Sequence, residues 1–392
     1  MGHYKRLISL PLDYSFFLFG PRQVGKSTIL NQRFCKDQTL FFDLLDFNEV
    51  RKLEMDPGIF FRTIESRDCK IKYVIVDEVQ KLPWILDEVH RVMESSKNPP
   101  CFILTGSSAR KLKKNQANLL AGRAIEKQLF PFIYEELKSS DIKVFNLDDV
   151  LQYGSLPKVY LASSNDLKYE ILRAYTNTYM KEEIKEESLV RNLGAFNQFL
   201  LLAAEENGNT LNYSSIAQDI GVDMKTIKEY YQILIDTLMG FLLMPIKKSV
   251  RQQISKSPKF YFFDNGVQRA LCEKLKCPLI RATKEFGRVF EHWLIKEIVY
   301  KSNYYRRDYK FSFYRVDDDI EVDLIIEKPN GEILAIEIKA NDNPKEEKLK
   351  GLKSFAKVFP EARLICACLA QYPLKLDKGI EILPWKDLLE QV

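Results

Sequence analysis

The sequence predicts an α/β chain: a parallel sheet wrapped by helices, then a mostly helical region, then a second and smaller α/β domain. Three observations carry that reading. Short apolar runs alternate with amphipathic stretches through the first third, which is the pattern of βαβ units. From about Asp141 the apolar residues fall at helical spacing, with few β-branched runs. The last third returns to strand-like runs, two of them joined by the turn signal Pro329-Asn330-Gly331.

At 392 residues the chain is longer than a single core serves, so the expected division is 1–140, 141–275 and 276–392. In the first part, 16–19, 40–42, 73–76 and 102–104 are apolar enough to be strands buried on both faces, and 124–129 supplies a last strand. Helices are expected at 27–33 and 84–94. In the second part, 214–220, Gly221-Val222-Asp223 and 224–234 read as helix, tight turn, helix. Ile216, Ile220, Val222, Ile227, Tyr231 and Leu234 recur there at the spacing that closes a small helix-turn-helix core. The most apolar helical stretch runs from Tyr230 to Pro245, with Asp236 in its middle, too charged for a membrane span. In the third part a helix at 286–300 precedes strands at 311–314, 322–326 and 333–338, then a helix at 346–358 and a strand at 363–369.

Composition excludes several classes. A net charge of +5 over this length permits nucleic-acid contact without arguing for it. Seven cysteines without a matched CxxC pair, beside only three histidines, make structural zinc improbable and suggest reduced thiols. No uncharged span and an immediately polar start, with Lys5 and Arg6, point to the cytoplasm and away from a membrane.

Gly20, Pro21, Arg22, Gln23, Val24, Gly25, Lys26 and Ser27 fit the phosphate-loop pattern G-x-x-x-x-G-K-[ST]. The strand 16–19 precedes it and a helix continues through Thr28, the context in which backbone N–H groups cradle an anion. The fold expected is therefore a P-loop NTPase of the RecA/AAA type, binding ATP with Mg²⁺. Lys26 would reach the β- and γ-phosphates and Ser27 would ligate Mg²⁺. The run 73–76 ends in Asp77 and Glu78; Asp77 would hold Mg²⁺, and Glu78 would orient and deprotonate the attacking water. Ser107, ahead of Ser108 in Leu104-Thr-Gly-Ser-Ser108, is the candidate that senses the γ-phosphate. Arg123 is a candidate arginine finger, in cis or from a neighbouring subunit, and Arg22 could make a similar contact.

These segments together resemble the prokaryotic AAA-type ATPases that carry a C-terminal domain of uncharacterised function. The resemblance rests on Phe19–Thr28, Val76–Lys81, Leu104–Ser108 and Leu120–Arg123. It continues through Tyr153-Gly-Ser-Leu-Pro157, the helix 175–184, Phe262-Phe-Asp-Asn-Gly266, Gly287-Arg-Val-Phe-Glu291 and Glu321-Val-Asp323. Gly154-Ser155-Leu156 departs from the paired glycines usual there. The resemblance implies an additional-strand P-loop core with Glu78 as base, a winged-helix region, and a C-terminal domain like restriction endonucleases, of the PD-(D/E)XK kind.

The last implication has residues to match. Asp323 lies on one strand, and Glu337 and Lys339 share a face of the next, with Ile336 and Ile338 opposite. Asp323 and Glu337 would hold Mg²⁺, Glu291 would complete the shell, and Lys339 would stabilise developing charge. A solvated ion pair is the plain alternative. Lys225, Lys228, Tyr230 and Tyr231 on the second helix of the helix-turn-helix, then Lys247, Lys248, Arg251, Lys256 and Lys259, form a candidate DNA-contacting surface. Asp223, Glu229 and Asp236 interrupt it. Two functions follow: an ATP-driven machine acting on DNA, with metal-dependent cleavage as an added activity, or a nucleotide-gated switch whose C-terminal domain is a binding scaffold. Homo-oligomerisation is compatible with either.

Overall fold

A computed structural model describes residues 4–107, 120–139, 143–179, 192–246, 257–317, 320–376 and 379–392. They fall into two compact units, 4–132 with 236–239, and 133–235 with 240–392.

The first unit is built on β1 (Phe16–Phe19), β2 (Thr39–Asp43), β3 (Tyr73–Asp77), β4 (Cys101–Gly106) and β5 (Ile125–Gln128). All neighbours pair in parallel, in the order β2-β3-β4-β1-β5. Every residue of β1 is buried, as is Val74–Asp77 of β3. This is why these strands read as unbroken apolar runs: helices cover both faces of a parallel sheet. β4 lies between β1 and β3, so an additional strand separates the phosphate loop from the acidic strand end. The helices are α1 (Lys26–Arg33), α2 (Phe47–Met55), α3 (Gly58–Glu65) and α4 (Ile85–Ser95). Phe60 and Ile64 of α3, with Ile85, Val89 and Val92 of α4, pack with Phe42, Val74 and Phe102 of the sheet.

The second unit begins with short helices α5 (Tyr134–Lys138), α6 (Leu147–Tyr153), α7 (Pro157–Tyr160) and α8 (Asn165–Ala174). α9 (Leu193–Glu205), α10 (Tyr213–Ile220) and α11 (Met224–Asp236) follow, the last two joined by a turn with Gly221 in the left-handed region. β6 (Gly240–Pro245) and β7 (Lys259–Phe262) then form an antiparallel ribbon. α12 (Asn265–Leu271) and α13 (Lys284–Tyr305) lead to β8 (Lys310–Arg315), β9 (Glu321–Glu327) and β10 (Ile333–Lys339). α14 (Lys350–Val358), β11 (Arg363–Cys368), β12 (Leu374–Lys375), β13 (Glu381–Pro384) and α15 (Trp385–Gln391) complete it. One eight-stranded sheet, β12-β13-β11-β10-β9-β8-β6-β7, runs through the unit. Because β6 pairs with β8 through Met244 and Pro245, the ribbon after the helix-turn-helix extends the C-terminal sheet, and the two regions share one framework.

Several expectations need correction. The stretch Tyr230 to Pro245 is not one helix: α11 stops at Asp236, Leu238 takes a positive φ of 60°, and Gly240 opens β6. Apolar content alone could not separate a buried helix from a buried strand there. Tyr230 and Tyr231 do not face a nucleic acid; they are 5% and 1% exposed and pack edge-on against Phe196, Phe199 and Phe260. Lys225 and Lys228 do remain exposed. Lys259 is buried, since β7 is covered on both faces. The helix expected at 346–358 starts with a single 3₁₀ turn, and its α-helical part begins at Lys350. Ser108, Lys247, Lys248, Arg251, Lys256 and the end of the helix expected at 175–184 lie outside the described residues.

Asp264 ties the start of this unit to its centre. Its carboxylate caps α12 by accepting from the Val267 amide at 3.1 Å and also accepts from the Ser155 amide at 2.8 Å. Gly154 has φ +76°, and a Cβ there would sit 2.0 Å from Asp264 Oδ1. Gly154→Ala is expected to lower unfolding stability in a denaturant titration by roughly 1–3 kcal/mol through overpacking. Gly331→Ala, with a similar positive φ of 88° but open space around the position, should cost less.

Candidate nucleotide site and a second carboxylate cluster

The carboxyl ends of β1, β3 and β4 meet on one edge of the first sheet. The chain leaves β1 through Gly20, whose amide donates to the Gly106 carbonyl and where a Cβ would fall 2.4 Å from the Leu129 oxygen. Gln23 and Gly25 both have positive φ, curling the loop so that it enters α1 at Lys26. Arg6 braces this loop, donating from Nη1 to the Val24 carbonyl at 2.8 Å and from Nη2 to that of Phe130 at 2.6 Å.

Lys26 is buried, with Nζ 2.7 Å from the Gly20 oxygen and 3.9 Å from Glu78 Oε1. Ser27 Oγ donates to Asp77 Oδ2 at 3.3 Å. The Thr105 hydroxyl donates to the other Asp77 oxygen and accepts from the Glu78 amide at 3.1 Å. Glu78 itself adopts left-handed backbone geometry, φ 57° and ψ 49°, which turns its side chain out of the strand. Gln80 donates to Glu78 Oε2 and, at 3.1 Å, to Ser107 Oγ, so one amide bridges the glutamate and the serine.

The two carboxylates are shifted in opposite directions. Burial raises the Asp77 pKa, partly offset by the Thr105 hydroxyl. Burial would raise Glu78 as well, but Lys26, Gln80, Arg22 and the Ser107 amide outweigh it and hold its carboxyl below the usual value. Glu78 is thus ionised at neutral pH, the state a proton acceptor needs. A serine hydroxyl beside an aspartate is a hard-oxygen set suited to Mg²⁺ with several retained waters.

Of the residues expected from sequence, Lys26, Ser27, Asp77, Glu78 and Ser107 are brought together, and Arg22 is near enough to act on Glu78. Arg123 is not with them; it contacts His90 and Glu94 of α4, the latter at 3.0 Å. Thr105, Gln80 and Arg6 had no role assigned from sequence. Thr105 stands level with Asp77 through the parallel register Val76↔Leu104, a pairing that only the folded sheet shows.

In the second unit, Glu337 and Lys339 do share a face of β10, with Lys339 Nζ 2.7 Å from Glu337 Oε1. Asp323 Oδ2 accepts from the Ile338 amide at 2.6 Å. Glu291 Oε1 accepts from the Tyr261 hydroxyl at 2.8 Å and lies 3.5 Å from Lys259 Nζ. Glu291, Asp323, Glu337, Lys339 and Lys259 line a cavity of about 540 Å³ with Glu321 and Arg315. Burial raises Glu337, and Asp323 adds to the shift while Lys339 opposes it; burial likewise raises Glu291. Glu337 Oε2 is buried near the Leu352 amide without a hydrogen bond of good geometry. Among the described residues no three His, Cys, Asp or Glu side chains converge as a metal-binding group.

Comparison with known proteins divides the chain in three. Residues 13–138 match a family model described as an AAA domain. Residues 144–276 and 286–388 match two domains of unknown function, DUF8612 and DUF4143. Similar relatives are uncharacterized proteins. One, from Mycobacterium tuberculosis, is 21% identical over 83% of this chain and 70% of its own length. Another, from Methanocaldococcus jannaschii, is 22% identical over 87% and 78%. A third, from Haemophilus influenzae, is 22% identical over 83% and 82%. Among solved structures, the Aeropyrum pernix ORC1 protein in complex with DNA is 12% identical, covers 66% of this chain and 86% of its own, and has a TM-score of 0.32. The Thermococcus gammatolerans McrB AAA+ hexamers with bound McrC give 8%, 79%, 93% and 0.25. Neither structural likeness is close enough to bear on what this chain binds. The phosphate loop, the five-stranded parallel sheet and the matching domain model together give residues 13–138 the P-loop fold of AAA domains.

Proposed function

We propose that the chain hydrolyses ATP with Mg²⁺ and uses the cycle to drive a conformational machine acting on DNA. The convergence of Lys26, Ser27, Asp77, Glu78 and Ser107 at the carboxyl ends of β1, β3 and β4 carries this reading. The amides of Gly20 to Thr28 and the start of α1 bind the phosphates, and Lys26 offsets charge on the terminal two. Ser27 and Asp77 would hold Mg²⁺, which would supply positive charge to offset that of the bound phosphates. Glu78 accepts the proton of the attacking water, and Ser107 meets the γ-phosphate while Gln80 holds it in register with Glu78. Arg22 assists from within the loop. Arg123, paired with Glu94 of its own chain, serves as a finger for a neighbouring copy in a homo-oligomer.

DNA contact is supported by Lys225 and Lys228, exposed on the second helix of a helix-turn-helix with an antiparallel ribbon after it, the arrangement of a winged helix. Cleavage is supported by Asp323 and Glu337 as metal-holding carboxylates and by Lys339 beside them. Glu291, expected among the ligands, is engaged by Tyr261 and Lys259. No described helix is long and apolar enough to cross a membrane, all seven cysteines are free thiols, and a cytoplasmic setting is proposed.

One observation favours a second reading for the C-terminal part. Its carboxylates already have cationic partners in Lys259 and Lys339, which suits a non-catalytic protein- or DNA-binding scaffold governed by a nucleotide-gated switch.

Glu78→Gln is expected to keep ATP affinity within a few-fold and to lose hydrolysis by roughly 10²–10⁴-fold. Equilibrium binding and phosphate release measure the two, and undiminished turnover would remove Glu78 from its role. For cleavage, a Mg²⁺-dependent plasmid-nicking assay compares wild type with Lys339→Ala. Nicking that Lys339→Ala abolishes supports the nuclease, whereas equal products from both favour the scaffold.

A further inference from the structure

Lys259 opens β7 opposite Leu243 of β6, and its side chain runs beneath the carboxylate cluster with only 3% of the residue exposed. A buried ammonium needs partners. Here Nζ contacts Glu321 Oε1 and lies 3.5 Å from Glu291 Oε1, with the Phe313 ring 5.4 Å away. Tyr261 donates to that same Glu291 oxygen, and Arg315 Nε lies 3.8 Å from Glu321 Oε2. On Glu337, Lys339 takes Oε1, while Oε2 is buried without a well-formed hydrogen bond.

We propose that Lys259 is a built-in cation for the Glu291–Glu321 side of the cleft, so that these two carboxylates hold no divalent ion. Metal binding is then confined to the Asp323–Glu337 side, as a single ion. The inference rests on reading Asp323 and Glu337 as metal-holding residues, and it sets how many ions the site accepts. An ammonium fixed between two carboxylates supplies one of the two positive charges a second divalent ion would bring, and a second ion would have to displace it against a buried, doubly paired contact.

Calorimetric titration of the full, nucleotide-free chain with Mn²⁺ tests this, because any ion at Ser27 and Asp77 contributes equally in every variant. Lys259→Met should gain one Mn²⁺ site or bind at least about tenfold more tightly, and adding Glu291→Gln should cancel the gain. Glu291→Gln alone should leave Mn²⁺ binding unchanged. A folded Lys259→Met that titrates like wild type overturns the proposal. So does a tenfold weaker Mn²⁺ affinity in Glu291→Gln alone, which remains decisive even if Lys259→Met does not fold. Absence of nicking by wild type, together with a gained Mn²⁺ site in Lys259→Met, discards the cleavage reading and upholds the counter-ion role.

Discussion

The parallel pairing of β3, β4 and β1 is the constraint on which the nucleotide site depends. It sets Thr105 level with Asp77, and the Thr105 hydroxyl then does two things. It donates to Asp77 and accepts from the amide of Glu78, which has already turned into left-handed backbone geometry. That single side chain fixes the strand end from which both acidic groups emerge. Ser27 reaches Asp77 from α1, and Gln80 links Glu78 to Ser107. A slip in strand register would move every one of these groups, which is why buried, unbroken apolar strands matter to the chemistry above them.

The two carboxylate clusters show how the same residue type is set to different states. Glu78 is buried, yet one lysine, one arginine and two hydrogen-bond donors lower its pKa and keep it charged. Glu337 and Glu291 are also buried, and there burial prevails and raises the pKa despite Lys339 and Lys259. The number of like charges adds to the difference. Glu78 has one carboxylate neighbour, Asp77, whereas Glu291, Glu321, Asp323 and Glu337 line one cavity.

Much of the first unit was legible in the sequence because its signals are local. The run 16–19 is a strand with those bounds, and the loop that follows needs only its own glycines and lysine to be recognised. Asp77 and Glu78 follow from an apolar run ending in charge. Gln80 and Thr105 were not legible as parts of the site, because their roles depend on which strands become neighbours. The second unit was harder for the same reason. Tyr230 and Tyr231 sit at spacing that suits either a surface or a core, and only the packing of Phe196, Phe199 and Phe260 around them decides. Lys259 belonged by sequence to a basic strip, but strand pairing carries it beneath Glu291 and Glu321. Glu337 and Lys339 were legible as a pair, since alternation along one strand suffices.

The central claim is that the loop at Gly20 to Ser27 turns over ATP. Phosphate release by the full chain under saturating ATP, with Mg²⁺ and with chelator, compared between wild type and Lys26→Ala, tests it most directly. The account predicts turnover that requires Mg²⁺ and falls by about 10²-fold or more in Lys26→Ala, because a preorganised cation facing the transferred phosphoryl group is removed. A folded Lys26→Ala chain that releases phosphate as fast as wild type would contradict it.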